Sequence, residues 1–117
     1  ISYNNIQVNG QDFSNQQQIV ANPPTISLPP ESILIMYDPD APNPPYLHWV
    51  LVNGIPVVPY QGPSPPKGKK HRYIFELYSN PNRVVLPQAK GGSNFQKNTF
   101  VKGLVPIGQT QFTFQSI

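Results

Sequence analysis

The chain has 117 residues and carries 16 prolines, eight glycines, no cysteine and a formal net charge of +3. Proline and glycine at that density leave no stretch for a long helix, and the lack of cysteine excludes disulfides, zinc–thiolate sites and thiol chemistry. No run of about 18 apolar residues could cross a membrane as a helix, and no charged segment leads an apolar N-terminal stretch, so no signal peptide is expected.

A chain of this length reads as one domain over residues 1–117. Hydrophobic residues make up 38% and fall in patterned runs, which argues against disorder. Residues 1–60 contain Asp12, Glu31, Asp38 and Asp40 with no Lys or Arg, a balance of −4. Residues 61–117 hold all eight basic residues and only Glu76, a balance of +7. The halves are expected to fold against each other, with the dense cluster Lys67–Arg72 available to attract an anion. A cysteine-free chain fits a reducing, cytoplasmic compartment.

Ile1–Val8 reads as a strand ending in a hairpin-type turn at Asn9-Gly10, with Gln18–Ala21 pairing back. Thr25–Leu28 is hemmed in by Pro23-Pro24 and Pro29-Pro30 and reads as an edge or bent strand. Ser32–Asp38 (SILIMYD) is almost wholly apolar, as suits a strand buried on both faces, and Leu47–Asn53 (LHWVLVN) is similar. Pro56–Lys70 is rich in Pro and Gly and reads as one long loop between core strands, a kind of segment that often carries function. His71–Ser79 (HRYIFELYS) is the third central strand. Asn94–Lys102 is the one candidate helix, short and amphipathic through Phe95, Thr99 and Lys102. Gln109–Ile117 alternates polar and apolar as a half-buried strand does. The fold class is therefore all-β: a β-sandwich on a central antiparallel or mixed sheet, with few or no helices.

Three hydrophobic strands each carry an ionisable group near one end: Asp38, His48 and His71. If the first two run antiparallel and the third returns parallel to the second, all three groups meet at one edge of the sheet. Period-2 alternation places Leu34, Met36 and Asp38 on one face, His48, Val50 and Val52 on one face, and His71, Tyr73, Phe75 and Leu77 on one face. Burying such groups unpaired costs several kcal/mol each, so they are expected to bond to one another, to backbone or to a ligand. The turn Asp38-Pro39-Asp40-Ala41-Pro42 is stiffened by two prolines, with a cis Ala41-Pro42 bond as an option. Asp38 is expected in the cavity, with Asp40 pairing Arg72 or capping the turn. Gly62-Pro63-Ser64-Pro65-Pro66-Lys67-Gly68 is a second rigid loop able to present backbone N–H groups, notably that of Ser64, to an anion.

DPDAP at Asp38–Pro42, HWVLVN at His48–Asn53 and PSPPKGKKHRYIFELY at Pro63–Tyr78, in this order, resemble the phosphatidylethanolamine-binding protein family, which includes Raf kinase inhibitor and plant flowering-regulator proteins. ANPPTISL at Ala21–Leu28 is a shorter echo. The resemblance implies a β-sandwich with a small pocket at one end for phosphate, phosphorylethanolamine or a phospho-amino acid. Carried onto this chain, the pocket would hold Asp38, His48, His71 and Tyr73, with Ser64, Pro65 and Tyr46 on its wall. Asp40, Pro42, Arg72 and Gly62 would support it. Many members have Gly where Ser64 stands, so a side chain here narrows the pocket or adds a hydroxyl donor. Tyr46 and Leu47 precede His48 and Trp49 follows it, as in bacterial-type members. The C-terminal helix beside the pocket in animal members has no counterpart after the last expected strand, so a more open pocket is expected.

Physically, a protonated histidine, Tyr73 and backbone N–H groups can all donate to a phosphate oxygen. The expected function is a non-enzymatic anion-binding module without metal or cofactor, acting as a regulator through a protein partner such as a kinase or protease. The alternative is a small hydrolase using the Asp38/His48/His71 cavity, through a metal or through Ser64. The histidines lack the tight spacing of most metal sites, and Ser64 lies between two prolines with no G-x-S-x-G elbow. Lys67, Lys69, Lys70 and Arg72 accompany no nucleic-acid motif, so no nucleic acid is expected. The same charges would give at most weak attraction to an anionic membrane surface.

Overall fold

The computed structural model describes residues 1–3 and 5–116. Asn4 of the first expected strand and Ile117 of the last lie outside the described residues. In chain order the elements are β1 (Ser2–Tyr3), β2 (Ile6–Gln7), β3 (Gln11–Asp12), α1 (Gln17–Val20), β4 (Ser32–Asp38), β5 (Tyr46–Val52), β6 (Ile55–Val58), β7 (Lys70–Ser79), α2 (Lys97–Phe100) and β8 (Val105–Gln115). An almost wholly apolar strand must be covered on both edges and both faces. In β4 all seven residues are buried, with β5 and β7 flanking it, both antiparallel. The full sheet has the order β3-β8-β7-β4-β5-β6, and β1 and β2 pair as a separate ribbon. Every neighbouring pair is antiparallel except β3 and β8, which makes the sheet mixed.

The sheet has a core on each face. On one, Leu34, Met36, Trp49, Leu51, Tyr73, Phe75, Phe112 and Phe114 pack under Tyr3, Val8, Phe13 and Val20, so the β1–β2 ribbon and α1 form an opposing layer. On the other, Ile33, Ile35, Tyr37, Leu47, Val50, Ile74 and Tyr78 are capped by Phe95, Phe100 and Leu104. The second core also contains a buried carboxylate. Glu76 accepts from Tyr37 Oη at 2.5 Å, Tyr78 Oη at 2.6 Å and Lys97 Nζ at 3.0 Å. These donors outweigh the burial that opposes them and hold the Glu76 carboxyl below its usual range. Lys97 thereby ties α2 to the sheet.

Several elements differ from the sequence reading. The expected strand over residues 1–8 is a hairpin, β1 against β2, turning through Asn5 at φ +65°. Beyond Asn9-Gly10 the chain pairs parallel to β8 instead of folding back on itself. Gln18–Ala21 does not pair; Gln17–Val20 make one helical turn that buries Val20 against the first core, and Pro23-Pro24 stop it. Thr25 makes a single bridge to Ser2, and Ile26 and Leu28 pack on the first core. The long loop is shortened at its start by β6, an edge strand in which Pro56 is tolerated because only one side is paired. Helix α2 is four residues long; Phe95 and Phe100 are buried while Thr99 and Lys102 are exposed, so the expected spacing is not the buried one. Gly103, at φ +84°, ends the following turn.

The charge asymmetry becomes pairing between the halves. Asp12 meets Lys70 at 2.7 Å, Glu31 meets Arg83 at 3.5 Å, Asp40 meets Arg72 at 2.9 Å, and Asp38 meets His71 at 2.7 Å. The exposed pairs contribute little energy but fix which loop lies beside which strand.

Phe112 is fully buried and touches four rings, those of Tyr3, Phe13, Tyr73 and Phe75, at 5.3–6.0 Å. Phe112→Ala is expected to cost about 3–5 kcal/mol, read as a lower urea midpoint at unchanged slope. A loss under about 1 kcal/mol would overturn this account of the first core.

Candidate functional site

The end of β4 and the start of β7 lie side by side because the strands are antiparallel neighbours, with Tyr37 opposite Ile74. That brings Asp38 and His71 together. Both are buried, and His71 Nδ1 donates to Asp38 Oδ2 at 2.7 Å. The other Asp38 oxygen accepts the Asp40 N–H at 2.8 Å, closing the DPD turn. Asp40 turns outward to Arg72, taking its Nε at 3.0 Å, its Nη2 at 2.9 Å and its backbone N–H at 2.8 Å. This fork holds the Asp40 carboxyl below the usual carboxylate range. Adjacent residues of the turn thus grip adjacent residues of β7, one pair buried and one at the surface.

His48 reaches the site by a route that alternation does not predict. Met36 pairs with Trp49 and Tyr37 with Leu47, so His48 is an extra residue, a β-bulge. Val50 and Leu47 face the second core while Trp49 and Leu51 face the first. The bulge lets His48 and Trp49 both serve the first face. His48 therefore does not share a face with Val50 and Val52; its ring lies 5.3 Å from that of Tyr73 and 4.8 Å from that of Tyr46. Its Nδ1 donates to the Gln61 carbonyl at 2.6 Å. Burial is the largest influence on His48 and pulls its pKa below the ordinary 6.5, against the Gln61 carbonyl and Asp38 carboxylate, which favour the charged ring.

Tyr73 is wholly buried, stacked on Phe112 at 5.3 Å, and its Oη meets no hydrogen-bond partner in good geometry among the described residues. Burial and the Asp38 carboxylate raise its pKa, so it stays a neutral O–H donor. Around these groups lies an open pocket of about 330 Å³, lined also by Ala41, Pro42, Tyr46, Gln61, Ser64, Pro65, Pro66 and Ser93. Ser64 is exposed between buried Pro63 and Pro65. The pocket loop is clamped from the N-terminal layer. Gln17 Nε2 donates to the Pro63 carbonyl at 2.9 Å, and Tyr60 Oη donates to the Val20 carbonyl at 2.7 Å. A Cβ on Gly62 would sit 2.9 Å from Val20 O.

Gln61 and Ser93 were not foreseen. Ser93 arrives through a bridge between Leu47 and Gly92, a long-range contact with no local pattern. Gln61 accepts from His48 through its backbone carbonyl, which any residue type supplies, and from Tyr46 Oη through its side-chain Oε1 at 2.8 Å. The cis peptide bond among the described residues is Pro44-Pro45, not Ala41-Pro42. Asp38 is engaged by His71 and the Asp40 N–H, and among the described residues no group of three His, Cys, Asp or Glu is disposed to hold an ion.

The fold is mostly strands around a mixed six-stranded sheet, with two histidines, a carboxylate and a tyrosine gathered beside a pocket at one sheet end. A profile of the phosphatidylethanolamine-binding protein family matches residues 9–106, and the chain belongs to that family. It is similar to Protein MOTHER of FT and TFL1 homolog 2 of Oryza sativa, 42% identical over 67 residues, covering 44% of this chain and 38% of the relative. A UPF0098 protein of Mycobacterium tuberculosis is 33% identical over 85 residues, covering 53% of this chain and 42% of the relative. Protein BROTHER of FT and TFL 1 of Arabidopsis thaliana is 37% identical over 71 residues, covering 48% and 40%. The chain thus spans less than half of the length of the curated relatives it matches.

Two outcomes follow. The His48 pKa is lowered in the folded chain, so the unfolded chain binds more protons just below 6.5. The stability this group contributes is present above 6.5 and lost as pH falls through the lower folded value. Urea midpoints should therefore drop between about pH 7.5 and 5, and less steeply in His48→Gln; equal slopes would contradict a buried neutral ring. Gly62→Ala should cost about 1–3 kcal/mol and shift amide resonances in both α1 and the 61–66 loop. Shifts confined to the loop would mean that the two do not pack as described.

Proposed function

We propose that this chain is a non-enzymatic binding module for a small phosphate-bearing anion such as phosphate, phosphorylethanolamine or a phospho-amino acid. The observation that carries this reading is Tyr73 Oη, a buried donor without a partner among the described residues, in a pocket it shares with two histidines. Leaving a buried donor unpaired costs about 1–3 kcal/mol, and a ligand oxygen would remove that cost. Each histidine has Nδ1 bound by the protein, to Gln61 or to Asp38, which leaves each Nε2 for a ligand. The membership in a family named for phosphatidylethanolamine binding supports the same class of ligand. Liganded and free forms would differ at the pocket rim, and a protein partner such as a kinase or protease reading that rim would make the module a regulator. Lys67 and Lys69, which form no ion pair among the described residues, add positive charge beside it.

The Asp38–His71 pair is the one observation that favours a hydrolase, since a carboxylate-oriented imidazole is how serine nucleophiles are activated. Ser64 is hydrogen-bonded to neither histidine, whose bonds run to Asp38 and Gln61, so no nucleophile is held in place.

The binding reading is tested by titrating phosphorylethanolamine and inorganic phosphate while following the ring resonances of His48 and His71. Saturable shifts of both rings are expected, lost in His48→Ala. Affinity should rise as pH falls from about 8 to 6, because a phosphomonoester dianion takes up one proton near pH 6, becomes a monoanion and repels Asp38 less. Ring resonances that stay put at millimolar ligand would overturn the proposal.

A further inference from the structure

Glu76 and Lys97 lie outside the pocket, and the binding geometry does not use them. Glu76 sits within β7 between Ile74 and Tyr78, on the second face of the sheet. An apolar residue would pack there, yet the position holds a carboxylate that is 7% exposed. Tyr78 donates to its Oε1 and Tyr37 to its Oε2, and Lys97 Nζ lies 3.0 Å from each oxygen. Lys97 Nζ is also 3.3 Å from Tyr37 Oη and 5.0 Å from the centre of the Tyr37 ring. A buried ion pair gains little stability over apolar packing, and its best-attested use is to fix how one element sits on another. Here it fixes residues 92–103 on the sheet.

That segment is a strap held at few points. Its ends are glycines at positive φ, Gly92 at +118° and Gly103 at +84°. Its backbone is bonded to the stretch that follows the DPDAP turn. Gly92 exchanges two bonds with Leu47 at 2.8 and 3.0 Å, Asn94 N–H donates to Asn43 O at 2.9 Å, and Phe95 N–H donates to Pro45 O at 3.0 Å. Among the described residues, Lys97 makes the only hydrogen bonds from the strap to β4 or β7. Phe95 and Phe100 pack on the second core, but apolar contacts have no preferred direction. Clefts of about 330, 480 and 360 Å³ flank the strap, and the first is the candidate pocket. The pocket thus has two walls. Asp38, His48, His71 and Tyr73 stand on strands of the sheet, whereas Ala41, Pro42 and Ser93 belong to the turn and the strap. We propose that Lys97 is a positioning residue for the pocket: its pair with Glu76 latches the strap to the sheet and holds the outer wall in place, and release of the latch opens that wall. The effect on affinity rests on the binding reading above; the latch itself does not.

The test compares Lys97→Met, Lys97→Arg and Glu76→Gln with the unmodified chain, first by amide hydrogen exchange and then by titration with inorganic phosphate read at the His48 and His71 rings. In Lys97→Met the amides of Leu47, Gly92, Asn94 and Phe95 are expected to exchange about tenfold faster or more, with those of Ile35 and Phe75 in the central strands unchanged. Lys97→Arg, which restores a forked cationic donor, should return the strap amides toward their original rates. Glu76→Gln should loosen the same amides, and it keeps the test standing if Lys97→Met does not fold. Phosphate affinity should fall about fivefold in both Lys97→Met and Glu76→Gln. The second variant is decisive, because it makes the chain more positive and a purely electrostatic effect would strengthen phosphate binding. Exchange that accelerates everywhere, or nowhere, overturns the latch. A loosened strap with unchanged affinity overturns its control of the pocket. Ring resonances unmoved by phosphate in the unmodified chain overturn the binding reading alone, and selective loosening of the strap would still support the latch.

Discussion

The hydrogen bond between Asp38 and His71 is the interaction on which the site depends. A carboxylate and an imidazole, both nearly excluded from water, are tolerable only when each satisfies the other. Their pairing requires that β4 end where β7 begins, which antiparallel neighbours do and parallel ones do not. It also requires the chain after β4 to turn at once, which Pro39 and the Asp40 N–H to Asp38 bond achieve. Asp40 then falls beside Arg72, so a second pair locks the same corner from outside. Removing Asp38 would leave His71 buried without its partner, and the turn without its acceptor.

His48 adds a different constraint. The strand that carries it must supply hydrophobic residues to both cores, and strict alternation would aim the ring into the second core. The bulge resolves this conflict by adding one residue opposite β4, so that two consecutive side chains serve the first face. Bulges recur where a strand must re-aim a side chain, and here the re-aimed residue is the imidazole of the pocket. The Gln61 carbonyl then fixes the ring's tautomer from the other side.

How much of this was legible in the sequence follows from where the information sits. Ser32–Asp38 and His71–Ser79 could be read as core strands because burial on both faces demands apolar residues at nearly every position. The meeting of Asp38 and His71 followed from their places on those strands, while Tyr73 was assigned to the pocket through the family resemblance. The face of His48 did not, because a bulge changes the phase of alternation without changing composition. Gln18–Ala21 looked like a pairing strand because one helical turn and one short strand bury similar numbers of residues. Ile55–Val58 was hidden by Pro56 and by exposure, since an edge strand need not bury both faces or donate from every residue. The bridge that brings Ser93 to the pocket joins residues far apart in the chain, and no local pattern encodes it.

The unpaired hydroxyl of Tyr73 shows how the first core and the site are one object. No hydrogen bond among the described residues orients this group, yet its ring is held by stacking on Phe112, which is in turn wedged edge-on by Tyr3 and Phe13. Those two rings belong to the N-terminal layer, and the same layer clamps the pocket loop through Gln17 and Val20. The opposing layer therefore does more than cover an apolar face. It fixes a hydroxyl and a loop in place at the pocket. A pocket built this way draws its geometry from aromatic packing, and the position of the Tyr73 hydroxyl follows from the rings beneath it and not from a hydrogen bond among the described residues.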